Sequence, residues 1–277
     1  MPLQLSNAAI EQFKVDFELK YQAAEKLGNC ANNMFGLRGD SYKLPYMGEV
    51  TTHSRGAYQS MIPASDQTID QVSMTFSNWT TNLPLDYFQS MEVSAATNTL
   101  AALSDTHSKA MARRSDQLLI DAWNAGSGHT IADGGTNMTV DKLKEAKSVL
   151  DTNNVPMEDR FLVCTPSQID ALLGDNTVTS ILFNQQRTLV SGQIDTFLGF
   201  KVITLGEMPE GGLPVAAGIR KCFAFSHSST YRGYQIAPSV DVQWAPSWQS
   251  WLTISRLRAG AVVGQTEGVV EISCDES

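Results

Sequence analysis

Charge is scarce in this chain. Asp, Glu, Lys and Arg make up 18% of 277 residues, below the roughly 25% usual in globular domains. Two explanations fit: a surface hidden against other subunits, or a large uncharged polar fraction of Ser, Thr, Asn and Gln. The charge present leans acidic, with 20 basic against 29 acidic residues and a net of −9. Tight nucleic-acid binding draws on clustered Lys and Arg that displace counterions from phosphates, and no such cluster occurs. Lys142, Lys144 and Lys147 alternate with Asp141 and Glu145, the pattern of a solvated helix face.

Cysteine is equally sparse. Cys30, Cys164, Cys222 and Cys274 lie far apart and form no C-x-x-C pair. Zinc and redox motifs need close pairs, so both are disfavoured. Four cysteines in so long a chain are no disulfide scaffold, and buried reduced thiols are expected. No apolar run reaches the roughly 18 residues of a helical membrane span. Residues 1–10 lack the basic-then-apolar signature of a secretory signal. The expectation is synthesis in a cytoplasm with no membrane partner, which makes the glycosylation patterns at Asn78 and Asn137 chance matches.

Catalytic motifs are missing too. There is no G-x-S-x-G, no G-x-x-x-x-G-K and no H-E-x-x-H. His53, His107, His129 and His227 are scattered, as structural histidines are. Asp116 and Asp121 form an acid pair only on paper; a helix-surface or interface role suits them better. Arg113 and Arg114 are adjacent and so point different ways, fitting an intersubunit salt bridge or a solvated face equally. Trp244, Trp248 and Trp251 offer a stacking platform for bases, but no lysine accompanies them, and packing is the better reading. No enzyme activity, cofactor or metal is expected.

What the chain does have is apolar material, 42% of its residues, enough for a real core. Its length suits one large domain or two modest ones at about 150 residues each. Ile10, Phe13, Phe17, Tyr21, Ala24 and Leu27 recur at helical spacing. Ser6 or Asn7 can cap the start of this helix, and Gly28 and Asn29 its end. It packs either on its own core or, as an arm, on a neighbour. Residues 34–82 are extended: Tyr42, Leu44 and Tyr46, then Val72, Met74 and Phe76, alternate with polar residues at strand period. The polar stretch 51–65 between them reads as the mobile tip of a long hairpin. Two strands alone are marginal in water, so this hairpin is expected to lie on another subunit.

A long helix is predicted over 94–125, with Thr97, Leu100, Leu103, His107, Ala110, Met111, Arg114, Leu118 and Ala122 on one face. Past the glycines at 126, 128, 134 and 135 the texture becomes α/β. Thr139 caps a helix over 140–150, Phe161–Cys164 is a buried strand stopped by Pro166, and 169–173 is helical. Strands follow at 200–205 and 221–225, with a loop at 209–214. The end is β-rich again, from Val240 through Trp251 to 259–263 and 269–272. Strand-rich ends around an α/β insert predict a two-part α+β molecule whose first part is built from both ends.

The order and the residues together resemble the tailed-bacteriophage major capsid proteins of the Hong Kong 97 fold. The resemblance rests on Phe17-Glu18-Leu19-Lys20-Tyr21-Gln22 with Leu27, and on the hairpin from Tyr42-Lys43-Leu44-Pro45-Tyr46-Met47-Gly48 through Arg55-Gly56 to Val72–Phe76. Ala112-Arg113-Arg114-Ser115-Asp116 with Leu119–Ala122 carries it along the long helix. Asn154–Pro156, Arg160–Val163 and Pro166 continue it, then Gly192, Leu198–Val202 and Met208-Pro209. It spans nearly the whole chain, through a combination of individually weak motifs. It implies an N-terminal arm (1–42), an extended loop (43–78), a P-domain with a spine helix (79–126 and 236–277) and an A-domain (127–235). It also implies a structural shell protein: hexamers and pentamers of this chain, enclosing double-stranded DNA in a virion and assembled in a bacterial cytoplasm. An acidic wall would repel that DNA and ease its release.

A portal protein and possibly a decoration protein are implied as partners. A separate scaffolding protein is expected as well, since the hairpin begins too near the start to leave room for a cleaved scaffolding segment. Candidate intersubunit contacts are Arg55, Tyr58, Met61 and Ile62 in the loop and Arg113, Arg114 and Asp116 on the spine helix. One departure stands out. The type member of the fold crosslinks a loop lysine to a late asparagine; here residues 50–74 hold no lysine and no asparagine follows Asn184, so no isopeptide ring is expected. An encapsulin-like cellular compartment of the same fold is the alternative, and a soluble hydrolase with a dispersed site a weaker third.

Overall fold

The computed structural model describes residues 24–54, 56, 64–86, 96–174 and 196–276. In chain order its strands are β1 (Asn32–Phe35), β2 (Ser41–Met47), β3 (Ile69–Thr75), β4 (Ser77–Asp86), β5 (His129–Ile131), β6 (Arg160–Cys164), β7 (Thr196–Phe197), β8 (Phe200–Thr204), β9 (Val215–Ala216), β10 (Ile219–Ser226), β11 (Thr230–Ala245), β12 (Ser250–Val263) and β13 (Val269–Asp275). The described helices are α1 (Ala96–Gly126), α2 (Val140–Thr152) and α3 (Pro166–Leu173).

These strands form one sheet ordered β1-β11-β12-β4, a second ordered β5-β13-β10-β6-β8-β7 with β9 beside β10, and the β2–β3 hairpin. The helix caps are local and readable. Thr139 accepts a bond from the Lys142 amide at 3.3 Å, as expected of an N-cap. Helix α3 starts three residues earlier than its apolar spacing suggested, because Thr165 and Gln168 close a capping box around Pro166.

Helix α1 lies across both large sheets. Its first half packs on the four-stranded sheet, where Met111, Tyr234, Leu257 and Ala259 form a small core. Its second half enters the main core under the seven-stranded sheet, with Leu119, Ile120 and Trp123 fully buried. Trp123 stacks on Phe225 at 4.2 Å and donates its indole N–H to Thr230 Oγ1 at 3.0 Å. The buried stripe departs from the predicted face after Met111. It runs through Ser115, Asp116, Leu119, Ile120 and Trp123, while Arg114, Leu118 and Ala122 are only half-buried. Two polar residues turn inward because partners elsewhere satisfy them, which apolar periodicity cannot register.

Two further expectations are revised. The N-terminal helix was read over 6–27; residues 24–27 are not helical, and residues 1–23 lie outside the described residues. Strand β13 joins the seven-stranded sheet between β10 and β5, not the sheet of the other terminal strands. Its Val269, Val270, Glu271 and Ile272 are buried in succession, as in a strand covered on both faces of its sheet.

Candidate assembly interface

The hairpin pairs in the register its alternation demands, Tyr42 opposite Met74 and Leu44 opposite Val72. Met74 (0% exposed) and Leu44 (8%) turn inward, toward the protein's own four-stranded sheet. That sheet carries α1 on one face and receives the hairpin base on the other. Successive residues point to opposite faces, so Ala259 meets α1 while Gly260 meets the hairpin. Gly233 and Gly260 are cross-strand partners. A Cβ at Gly260 would overlap the Thr75 carbonyl oxygen, one at Gly233 would press on Met74, Leu37 and Phe76, and one at Gly264 would overlap Tyr46. The Tyr46 ring packs edge-on to Tyr231 at 6.4 Å, and Arg258 bonds Asp40 at 2.9 Å. A three-glycine seat thus docks the base of the hairpin on its own chain, a contact the expectation of a neighbour-bound hairpin omitted.

The distal part is different. On the hairpin face turned away from that sheet, polar Ser41, Lys43, Ser73 and Thr75 give way to Met47 (75% exposed) and Ile69 (59%). These two are directly paired, and Val50 follows, half of it open to solvent. A second apolar exposure lies where β11 and β12 turn, at Val242, Trp244 and Trp248, with Leu83 on β4. Trp244 packs edge-on to Trp251 at 5.2 Å. Exposed apolar clusters of this kind mark contact surfaces more often than isolated exposed residues do.

The candidate contact residues divide three ways. Arg55, Tyr58, Met61 and Ile62 lie outside the described residues. Arg113 sits where Gly211 packs on the α1 backbone. Arg114 and Asp116 are used inside the chain. The Arg114 guanidinium lies 3.4 Å from the Trp79 ring centroid and 3.8 Å from Glu210. Asp116 is 3% exposed and accepts the backbone N–H groups of Lys26 and Leu27 at 2.9 and 3.2 Å. Burial pushes its carboxyl up to about 6.

Beside Asp116 lies Arg232, 1% exposed, which the sequence reading did not single out. It donates to Glu25 at 2.7 Å, to Ser115 and Asn33 at 2.9 Å and to the Gly28 carbonyl at 3.3 Å. Ser115 also bonds the Tyr234 hydroxyl at 2.7 Å. Farther along α1, His107 is buried with Nδ1 2.5 Å from Thr81 Oγ1, which in turn is 2.5 Å from Ser255 Oγ. Burial pushes the imidazole pKa down. With no carboxylate among these partners, the arrangement is structural, joining α1, β4 and β12. All four cysteines are buried and unpaired, and no described helix is long and apolar enough to cross a membrane.

A long helix spanning two sheets, with a docked hairpin, is an architecture that solved structures share. Solved structures with it include the capsid of cyanophage P-SCSP1u, at 14% identity and TM-score 0.74, covering 99% of this chain and 94% of that one. A Mycobacterium phage Che8 chain matches at 17% identity and TM-score 0.69, over 93% and 94%. The capsid of a native GTA particle matches at 11% identity and TM-score 0.68, over 99% of each chain. A search among curated proteins by sequence finds no match. The family model described as phage capsid protein matches residues 5–276, and the chain belongs to that family. It is a major capsid protein, a structural subunit of a phage shell, which decides the choice against the cellular-compartment reading.

Proposed function

We propose that this subunit closes an icosahedral shell of hexamers and pentamers around double-stranded DNA, and that the distal hairpin makes the contact that holds neighbours together. The supporting observation is the change of character along the hairpin. Its base is seated on glycines of its own chain, whereas Met47 and Ile69 lie exposed on the face turned away from that seat, and Val50 is exposed beyond them. A two-stranded ribbon is unstable with an apolar face in water, and covering it on an adjacent subunit removes that cost. Shells of this kind need large obligate interfaces, on the order of 2,000 Å² or more. The residues 127–235 then surround the capsomer axes, and the sheet carrying Trp244 and Trp248 meets the next capsomer. The chain acts without catalysis. It assembles in the bacterial cytoplasm with a separate scaffolding protein and a portal, and ends in the virion.

Deleting residues 50–66 tests this. The seven-stranded core should keep its amide-exchange protection while electron microscopy shows no closed particles. Normal particles from the deletion would overturn the role given to the hairpin.

A further inference from the structure

Residues 24–33 are held to the body of the protein by a small buried polar cluster. Asp116 accepts the amides of Lys26 and Leu27, Arg232 grips Glu25, Asn33 and the Gly28 carbonyl, and β1 pairs with β11. We propose that this cluster is a proton-sensitive latch, which holds residues 24–33 against α1 in acid and loosens as the pH rises toward neutrality. The proposal concerns the single chain and stands whether or not the hairpin reading does.

The charges argue it. Facing Asp116 are Glu25, Lys26 and Cys30 from the segment and Arg232 and Tyr234 from β11. The Lys26 ammonium is turned away, onto the Thr204 carbonyl at 2.7 Å. Cys30 and Tyr234 are held neutral by burial. That leaves two carboxylates to one guanidinium, with Asp116 buried and Glu25 at the solvent edge of the cluster. The Arg232 donors go to Glu25, Ser115, Asn33 and Gly28, so the hydrogen bonds to Asp116 come from two backbone amides, with Arg232 acting on it only through its charge. Peeling the segment away would hydrate Asp116 and relieve this excess.

The sign follows from where the proton binds better. Burial holds the closed-state carboxyl near 6, against 3.8 for an exposed one. Protons therefore favour the closed latch, and its grip weakens as pH rises through 6. If the opened carboxyl recovers its ordinary value, the opening equilibrium rises about tenfold between pH 5 and pH 8. Opening would free about ten residues, 24–33, from the body of the protein.

Hydrogen exchange on the unassembled full-length chain, corrected for the intrinsic pH dependence of exchange, tests the latch. Amides of 24–33 should exchange about tenfold faster at pH 8 than at pH 5, while β10 and β13 stay protected. Asp116→Asn should abolish that difference, and Asp121→Asn, on the exposed side of the same helix, should leave it intact. Labelling of Cys30, normalised to glutathione and compared with Cys222, reads the same opening in the unsubstituted protein and does not depend on the variant folding. PH-independent exchange and labelling of the segment, or a pH effect surviving in a folded Asp116→Asn protein, would overturn the proposal.

Discussion

Adding one methyl group at Gly260 should unseat the hairpin. A Cβ there would overlap the Thr75 carbonyl oxygen and come 3.0 Å from its carbon. Both are backbone atoms, so no side-chain rotation relieves the clash and β3 itself must move. Overpacking of this kind costs about 1–3 kcal/mol. Lifting β3 also uncovers Met74 and Leu44, each worth about 1.5–3 kcal/mol when fully buried, and partial exposure adds roughly 1 kcal/mol. Gly260→Ala should therefore weaken docking by ~2–4 kcal/mol, a fall of roughly 30- to 1,000-fold in the docking equilibrium. The assay is hydrogen exchange over 41–47 and 69–75, with Gly206→Ala as control, since a Cβ there meets only Met208 Cε at 3.7 Å. Gly264→Ala gives a sharper contrast. Its main clash is with the ring end of Tyr46, with the Tyr231 ring 2.9 Å away, so Tyr46→Leu should partly rescue Gly264→Ala and leave Gly260→Ala uncorrected. Unchanged exchange in Gly260→Ala would refute the idea that the seat depends on missing side chains.

Two further expectations concern acid and covalent bonding. Burial lowers the pKa of His107, so the unfolded chain takes up this proton first and stability falls as pH drops through 6.5. Urea midpoints between pH 5 and pH 8 should show that loss, and His107→Gln should flatten it, the opposite in sign to the Asp116 effect. An unchanged acid slope in the variant would remove His107 from the account. Particles boiled in SDS should give one band at the monomer mass of 30.2 kDa, because the loop lysine and the late asparagine of the crosslinking pair are both missing; a ladder would show another pair at work.

Elements whose residues pack on near neighbours were legible in the sequence. The alternation of Tyr42, Leu44 and Tyr46 against Val72, Met74 and Phe76 foretold a hairpin, and Thr139 foretold the start of α2. The misreadings share a physical cause. Ser115 and Asp116 look like surface residues on a helix, yet both are buried, because Arg232 and the amides at 26 and 27 come to them from 89 to 117 residues away. No local pattern carries that information. Gly233 and Gly260 read as strand-weakening residues, and only the arrival of a second layer shows that the missing side chains are what the contact needs. Conversely, Met47, Ile69 and Trp248 have the composition of a core and are exposed. Periodicity measures how a side chain would prefer to be placed, and it is satisfied equally by burial inside one chain and by burial between two. In the assembly proposed above, the apolar residues that the isolated subunit leaves exposed are the ones its neighbours cover, and the buried polar residues are where its internal joints lie.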